Sequence, residues 1–290
     1  RKGVFPRRQS RTLQLQKQKS ILQKGLYLFL YNSCFYFILI SIRTIISVNY
    51  TVEEFGYFTF SFTIANAVML LLDSFNTILF PKTIDLMSSD DNKKKADALE
   101  KMRVGYILTS HMLVYLAMIC FPILVWFIPK YMPALSSMNM IALAVLMNTN
   151  SYGYSNMLIA QNKEHKAGFI SAVSLIVNII LGLGLAKILN VEYSYITIAI
   201  LVAYMISSFL MAYEGDTILR REKSLSYTLK HFFPIRMFIP YMIALIISCT
   251  QIEYLIFIPL LVFIMLNYKD LQFLKNIALK LIKEPEVIDV

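Results

Sequence analysis

Charge is scarce in this chain. Only 16% of its 290 residues are Asp, Glu, Lys or Arg, against about 25% in a soluble domain. With 57% hydrophobic residues and a mean hydropathy of +0.59, that scarcity excludes a disordered chain and an ordinary water-soluble domain. Cysteine is scarcer still: Cys34, Cys120 and Cys249 each lie in a long apolar run. Their odd number and their spacing fit neither a disulfide framework nor a metal site. Nine glycines and nine prolines are too few for a collagen-like chain. Histidine is limited to His111, His165 and His231, and the last two stand alone in polar segments, so no catalytic constellation emerges.

What is present is hydrophobic length. A bilayer core of about 30 Å takes roughly 20 helical residues. Six segments meet that: 26–48, 56–80, 104–128, 136–160, 167–189 and 194–213. A seventh apolar block, 232–268, reads as a hairpin broken around Thr250-Gln251-Ile252-Glu253. The runs are continuous rather than alternating, which excludes a spanning barrel. The sequence therefore predicts an all-α polytopic membrane protein of about eight transmembrane helices. Pro122, Pro240 and Pro259 fall inside these helices and are expected to kink them.

The net charge of +10 is a topological signal. Of 28 Lys and Arg, 25 fall in 1–25, 82–103, 163–166, 220–236 and 269–283. The short connections 48–55, 129–135, 190–194 and 249–253 hold only Lys130 together with Glu53, Glu54, Glu192 and Glu253, and the two remaining cations, Arg43 and Lys187, lie within or at the end of apolar runs. Basic residues gather on the cytoplasmic side of membrane proteins, so both ends of the chain are expected in the cytoplasm. The chain opens on a basic stretch to Gly25 with no short apolar segment and cleavage site, as a sequence beginning within a longer protein would. Nucleic acid is not expected as a partner. Lys93-Lys94-Lys95 reads as a solvated loop, and 270–283 as an amphipathic helix on the membrane surface. Trp126 and Tyr131 read as interfacial anchors.

Polarity that survives inside apolar segments marks function. On the first span Asn32, Tyr36, Arg43 and Ser47 share one narrow arc, and on the second Thr59, Thr63, Asn66, Asp73 and Thr77 share another. On the fourth, Asn148, Ser151, Tyr152, Ser155 and Asn156 form a stripe two turns long. Three such stripes on separate helices favour a hydrated cavity over interhelical bonds, each of which contributes only about 0.6 kcal/mol. Asn32, Tyr36, Thr63, Asn66, Asn148, Ser151, Tyr152, Ser155 and Asn156 are accordingly the candidate substrate-binding residues. Arg43 is always charged, and its guanidinium suits a phosphate; the competing reading has it reaching for the outer interface. Asp73 lies in the cytoplasmic half, too far along the membrane normal to pair with Arg43, where it suits ion coupling. On the fifth span Ser171, Ser174, Asn178 and Gly182 are mostly small and read as close helix packing. His111 reads as a hydrogen-bonded structural histidine.

Ser41-Ile42-Arg43-Thr44-Ile45-Ile46, Val52-Glu53-Glu54-Phe55-Gly56-Tyr57-Phe58, Phe80-Pro81-Lys82 and Gln161-Asn162-Lys163 occur in that order. As an ordered set over about 25–215 they resemble bacterial polysaccharide flippases, the O-antigen and capsule repeat-unit carriers of the multidrug/oligosaccharidyl-lipid/polysaccharide exporter superfamily. The resemblance implies a basic segment 1–25, a second six-helix lobe over 26–215, a loop 216–231, an added hairpin 232–268 and a tail 269–290. It implies alternating-access flipping of polyprenyl-pyrophosphate-linked oligosaccharide across the bacterial inner membrane, without a cofactor and without enzymatic chemistry. Membrane lipids and polysaccharide polymerase machinery are the further partners it implies. A drug/cation antiporter of the same superfamily and a membrane-integral polysaccharide-processing enzyme are the alternatives.

Overall fold

The structure, a computed structural model, describes residues 11–88, 92–220 and 224–283. Among the described residues there are ten α-helices and no strand. They are α1 (Arg11–Asn49), α2 (Val52–Ser88), α3 (Asn92–Phe127), α4 (Leu135–Thr149), α5 (Tyr154–Ala160), α6 (Glu164–Lys187), α7 (Thr197–Arg220), α8 (Leu225–Phe232), α9 (Ile235–Thr250) and α10 (Ile258–Lys283). Six stretches are long and apolar enough to cross a membrane: Ile21–Asn49, Val52–Ser74, Met102–Phe127, Pro129–Thr149, Glu164–Lys187 and Tyr193–Ile218. Ile235–Thr250 is a shorter apolar helix. The protein is an all-α polytopic membrane protein.

The bundle has two chemically distinct ends. At one, the basic end, lie Lys24, Arg103, Lys166 and Arg236 among the described residues; at the other, the far end, the chain turns at 49–52, 128–135, 188–197 and 251–257. The helices extend past the expected spans at the basic end, because Gln, Leu, Lys, Ala and Glu there are good helix formers. Residues 11–25 belong to α1, Phe80-Pro81-Lys82 lies within α2 rather than at its end, and Lys93-Lys94-Lys95 lies in α3 instead of a loop.

Helix α4 is the hub. Every residue of it except Asn148 is buried, and a helix apolar on all sides must be enclosed by others. Helices α2, α3, α7 and α9 pack around it. Helix α6 packs against α1 in the way small residues permit: a Cβ on Gly168 would stand 2.9 Å from the Tyr27 carbonyl oxygen, and one on Gly182 2.7 Å from Ile42. Asn178 Nδ2 donates to the Ile38 carbonyl at 2.9 Å and to Ser41 Oγ at 2.8 Å across that contact. The polar residues of α6 are thus used for packing, as its composition suggested.

The C-terminal hairpin breaks where expected. Helix α9 ends at Thr250, and Gln251 turns the chain in the left-handed region (φ 57°). The turn then consumes residues up to Phe257, and α10 is kinked at Asn267 (φ −116°). Its nine residues before the kink rise only about 14 Å, so this arm is shorter than the expected crossing. Pro259 sits in the first turn of α10, where proline is tolerated, rather than kinking its interior. His111, fully buried on α3, anchors the hairpin: its ring stacks on Phe263 (5.5 Å, 8°) and Nδ1 lies 3.1 Å from Tyr115 Oη. Ser136 Oγ donates to the Ser248 carbonyl (2.9 Å) and Tyr195 Oη to the Cys249 carbonyl (2.9 Å). The stretch 270–283 continues α10, but its expected amphipathic face beyond Gln272 lies outside the described side chains.

Candidate functional site

The fourth span is discontinuous. Instead of one helix over 136–160, α4 stops at Thr149 and α5 starts at Tyr154. The local sequence explains this. Thr149 Oγ1 donates to the Leu146 carbonyl, Asn150 Nδ2 to that of Met147 and Ser151 Oγ to that of Asn148. Such side-chain bonds compete with the helical ladder. Gly153 then takes φ 81°, where a side chain is strained, and its Cα faces Leu99 so closely that a Cβ would lie 2.4 Å from Cδ1.

Unwound backbone at membrane depth must find other partners, and here a buried arginine supplies them. Arg103, 7% exposed, donates from Nη1 to the carbonyls of Asn150 (2.5 Å) and Tyr152 (3.1 Å). Its guanidinium lies over the Tyr154 ring at 4.1 Å. Tyr154 Oη in turn donates to Asp216 Oδ1 (3.0 Å), and Thr228 Oγ1 on α8 donates to Asp216 Oδ2 (2.8 Å). One polar chain therefore joins α3, the break, α7 and α8.

Against the break lies a cavity of about 470 Å³. Its lining includes Tyr31 and Asn32 from α1, Asp73 from α2, Tyr106 from α3, and Asn148, Thr149, Ser151, Tyr152, Ser155 and Asn156 around the break. The rings of Tyr106 and Tyr152 stack at 4.0 Å. Asn32, Asp73, Asn148 and Asn156 have no side-chain hydrogen-bond partner among the described residues, and Nδ2 of Asn156, a residue only 5% exposed, is unpaired. Buried amides are ordinarily bonded, so the unpaired Asn156 amide, with the less buried Asn32, Asp73 and Asn148 around the same cavity, is available to a guest or to water. Counted along straight helices, Asn32 lies about 25 Å and Asp73 about 31 Å from the far end. The cavity thus lies nearer the basic end than the far end.

Seven candidates from the sequence meet in this cavity: Asn32, Asp73, Asn148, Ser151, Tyr152, Ser155 and Asn156. Tyr36, Arg43, Thr63 and Asn66 do not line it. Tyr36, Arg43 and Thr63 are exposed, and Asn66 is partly buried. Arg43 stands near the far end with its guanidinium 5.5 Å from the Phe55 ring centroid, and it makes no ion pair with Asp73. No family model, curated protein or solved structure matches the chain.

Sequence reasoning missed Tyr31, Tyr106 and, above all, Arg103. The last counted as one more basic-segment cation, although it directly precedes the apolar run Val104–Leu108. Among the described residues no group of three His, Cys, Asp or Glu side chains is placed to hold a metal ion.

Proposed function

We propose that this protein moves a polyprenyl-pyrophosphate-linked oligosaccharide across the bacterial inner membrane by alternating access, with both chain ends in the cytoplasm. The cavity beside the break carries this reading: amides without a side-chain partner, lined up with hydroxyls and phenols inside a membrane protein, suit a cargo rich in hydroxyl groups. The ordered resemblance to polysaccharide flippases and the charge distribution support it. In this reading the saccharide enters the cavity from the cytoplasmic side, the polyprenyl tail stays in lipid, and Arg43 holds the pyrophosphate near the outer leaflet. Tyr36, Thr63 and Asn66 then line the route between the two.

The presence of Asp73 and three tyrosines around one cavity favours a second reading, a drug/cation antiporter, since a carboxylate among rings suits a cationic drug. An assay of lipid-linked saccharide in cells separates the two. Loss of the protein leaves the lipid-linked unit on the cytoplasmic leaflet without altering drug sensitivity. Arg43→Ala abolishes flipping, whereas Arg43→Lys retains part of it through charge without the bidentate fork. Surface polymer at wild-type levels with Arg43→Ala would refute the phosphate role.

A further inference from the structure

The charge inventory of the cavity restricts what enters it. Asp73 is half-buried and lies within salt-bridge distance of no cation among the described residues, and no described residue lining the cavity is basic. The remaining polar groups are amides, hydroxyls and the phenols of Tyr31, Tyr106 and Tyr152. A lone carboxylate in a partly desolvated cavity repels a second anion and attracts a cation, because the low dielectric there weakens screening. Aromatic rings around the same cavity add to the attraction for an ammonium group. Arg43, the cation on the polar face of α1, lies eleven residues beyond Asn32, about 16 Å along the helix.

From this cavity we infer that Asp73 selects the charge of the saccharide: the cavity takes a neutral or amine-bearing sugar and rejects a carboxylate-bearing one. The inference rests on the reading of this cavity as the saccharide site, and it adds the class of sugar. The anionic pyrophosphate is thereby kept out of the cavity and left to the Arg43 level of the same face. Asp73 acts here by direct contact with the guest, while Asn32, Asn148 and Asn156 satisfy its hydroxyls.

The test uses the full chain in nanodiscs and three soluble trisaccharides of one skeleton: neutral, with a free amine, and with a carboxylate. Calorimetric titration is expected to rank them amine, neutral, carboxylate, with at least a tenfold gap between the first and last. Asp73→Asn is expected to bring that ratio close to one, and Asp73→Glu to keep it, whatever happens to the absolute affinities. Equal binding of the amine and carboxylate probes by the unmutated chain overturns charge selection while leaving the saccharide site standing. A ratio that survives Asp73→Asn overturns the role of Asp73. Failure of all three probes to bind overturns the saccharide reading itself and this inference with it.

Discussion

Arg103→Ala lowers the stability of the protein by about 3–5 kcal/mol, the range for removing one partner of a buried ionic network. The residue is 7% exposed and serves two carbonyls that no helix satisfies. Its removal leaves the Asn150 and Tyr152 carbonyls without their donor and Asp216 without the nearby positive charge. Lysine keeps the charge but presents a point donor without a planar face for Tyr154, so Arg103→Lys falls between the two. Thermal unfolding in detergent reads the order. A further arm separates an unpaired carboxylate from lost packing: in Arg103→Met, adding Asp216→Asn recovers part of the loss, because no buried charge is then left uncompensated. If Arg103→Ala unfolds like the wild type, the guanidinium does not hold the break.

Gly153→Val has the second large effect. The residue adopts φ 81°, which a β-branched side chain enters only as an outlier, and its Cβ would meet Leu99 at 2.4 Å. Strain of this kind costs about 1–3 kcal/mol. Leu99 is buried and its displacement adds to that. Relief comes from the other side of the clash: Leu99→Ala removes the obstructing methyl group, so Gly153→Val with Leu99→Ala loses less than the sum of the two single changes. Strict additivity in the same unfolding assay would mean that the contact does not exist.

Both predictions concern a feature that a linear reading of the sequence passes over. The spans and the hairpin turn were legible because they follow from hydrophobic length and from Thr250-Gln251-Ile252-Glu253. Close packing of α6 was legible because Gly182, Ser174 and Asn178 recur on one face, but its partner α1 was not. The residues of the stripe Asn148–Asn156 line a cavity, but the stripe was read on the premise of a continuous helix. Its residues converge because the helix breaks and folds its polar side chains around a hollow. That break depends on Arg103 and Leu99, some fifty residues earlier in the chain, and no local periodicity encodes such a pairing. Arg103 itself was hidden by its neighbours, since a cation next to Lys101 at a span boundary reads as topology until its burial is known. The extra helical length at the basic end was missed for a simpler reason: hydropathy marks where a helix enters lipid, and propensity decides where it ends.

Arg43 illustrates the opposite case. Its position on the polar arc of α1 was legible, and its seat on Phe55 near the far end was not, because that contact joins two helices across a turn. The separation of Arg43 from Asp73 followed from helical rise alone and stands.

The account rests on water entering the helix bundle beside the broken fourth span. With Cys34, Cys120 and Cys249 replaced by alanine, Asn148→Cys and Ser151→Cys in membranes test this with a membrane-impermeant maleimide applied to the face that carries the basic end. The account predicts rapid labelling at both positions and none at Ile180→Cys, an exposed apolar position of α6. Labelling at positions 148 and 151 as slow as at 180 would contradict it.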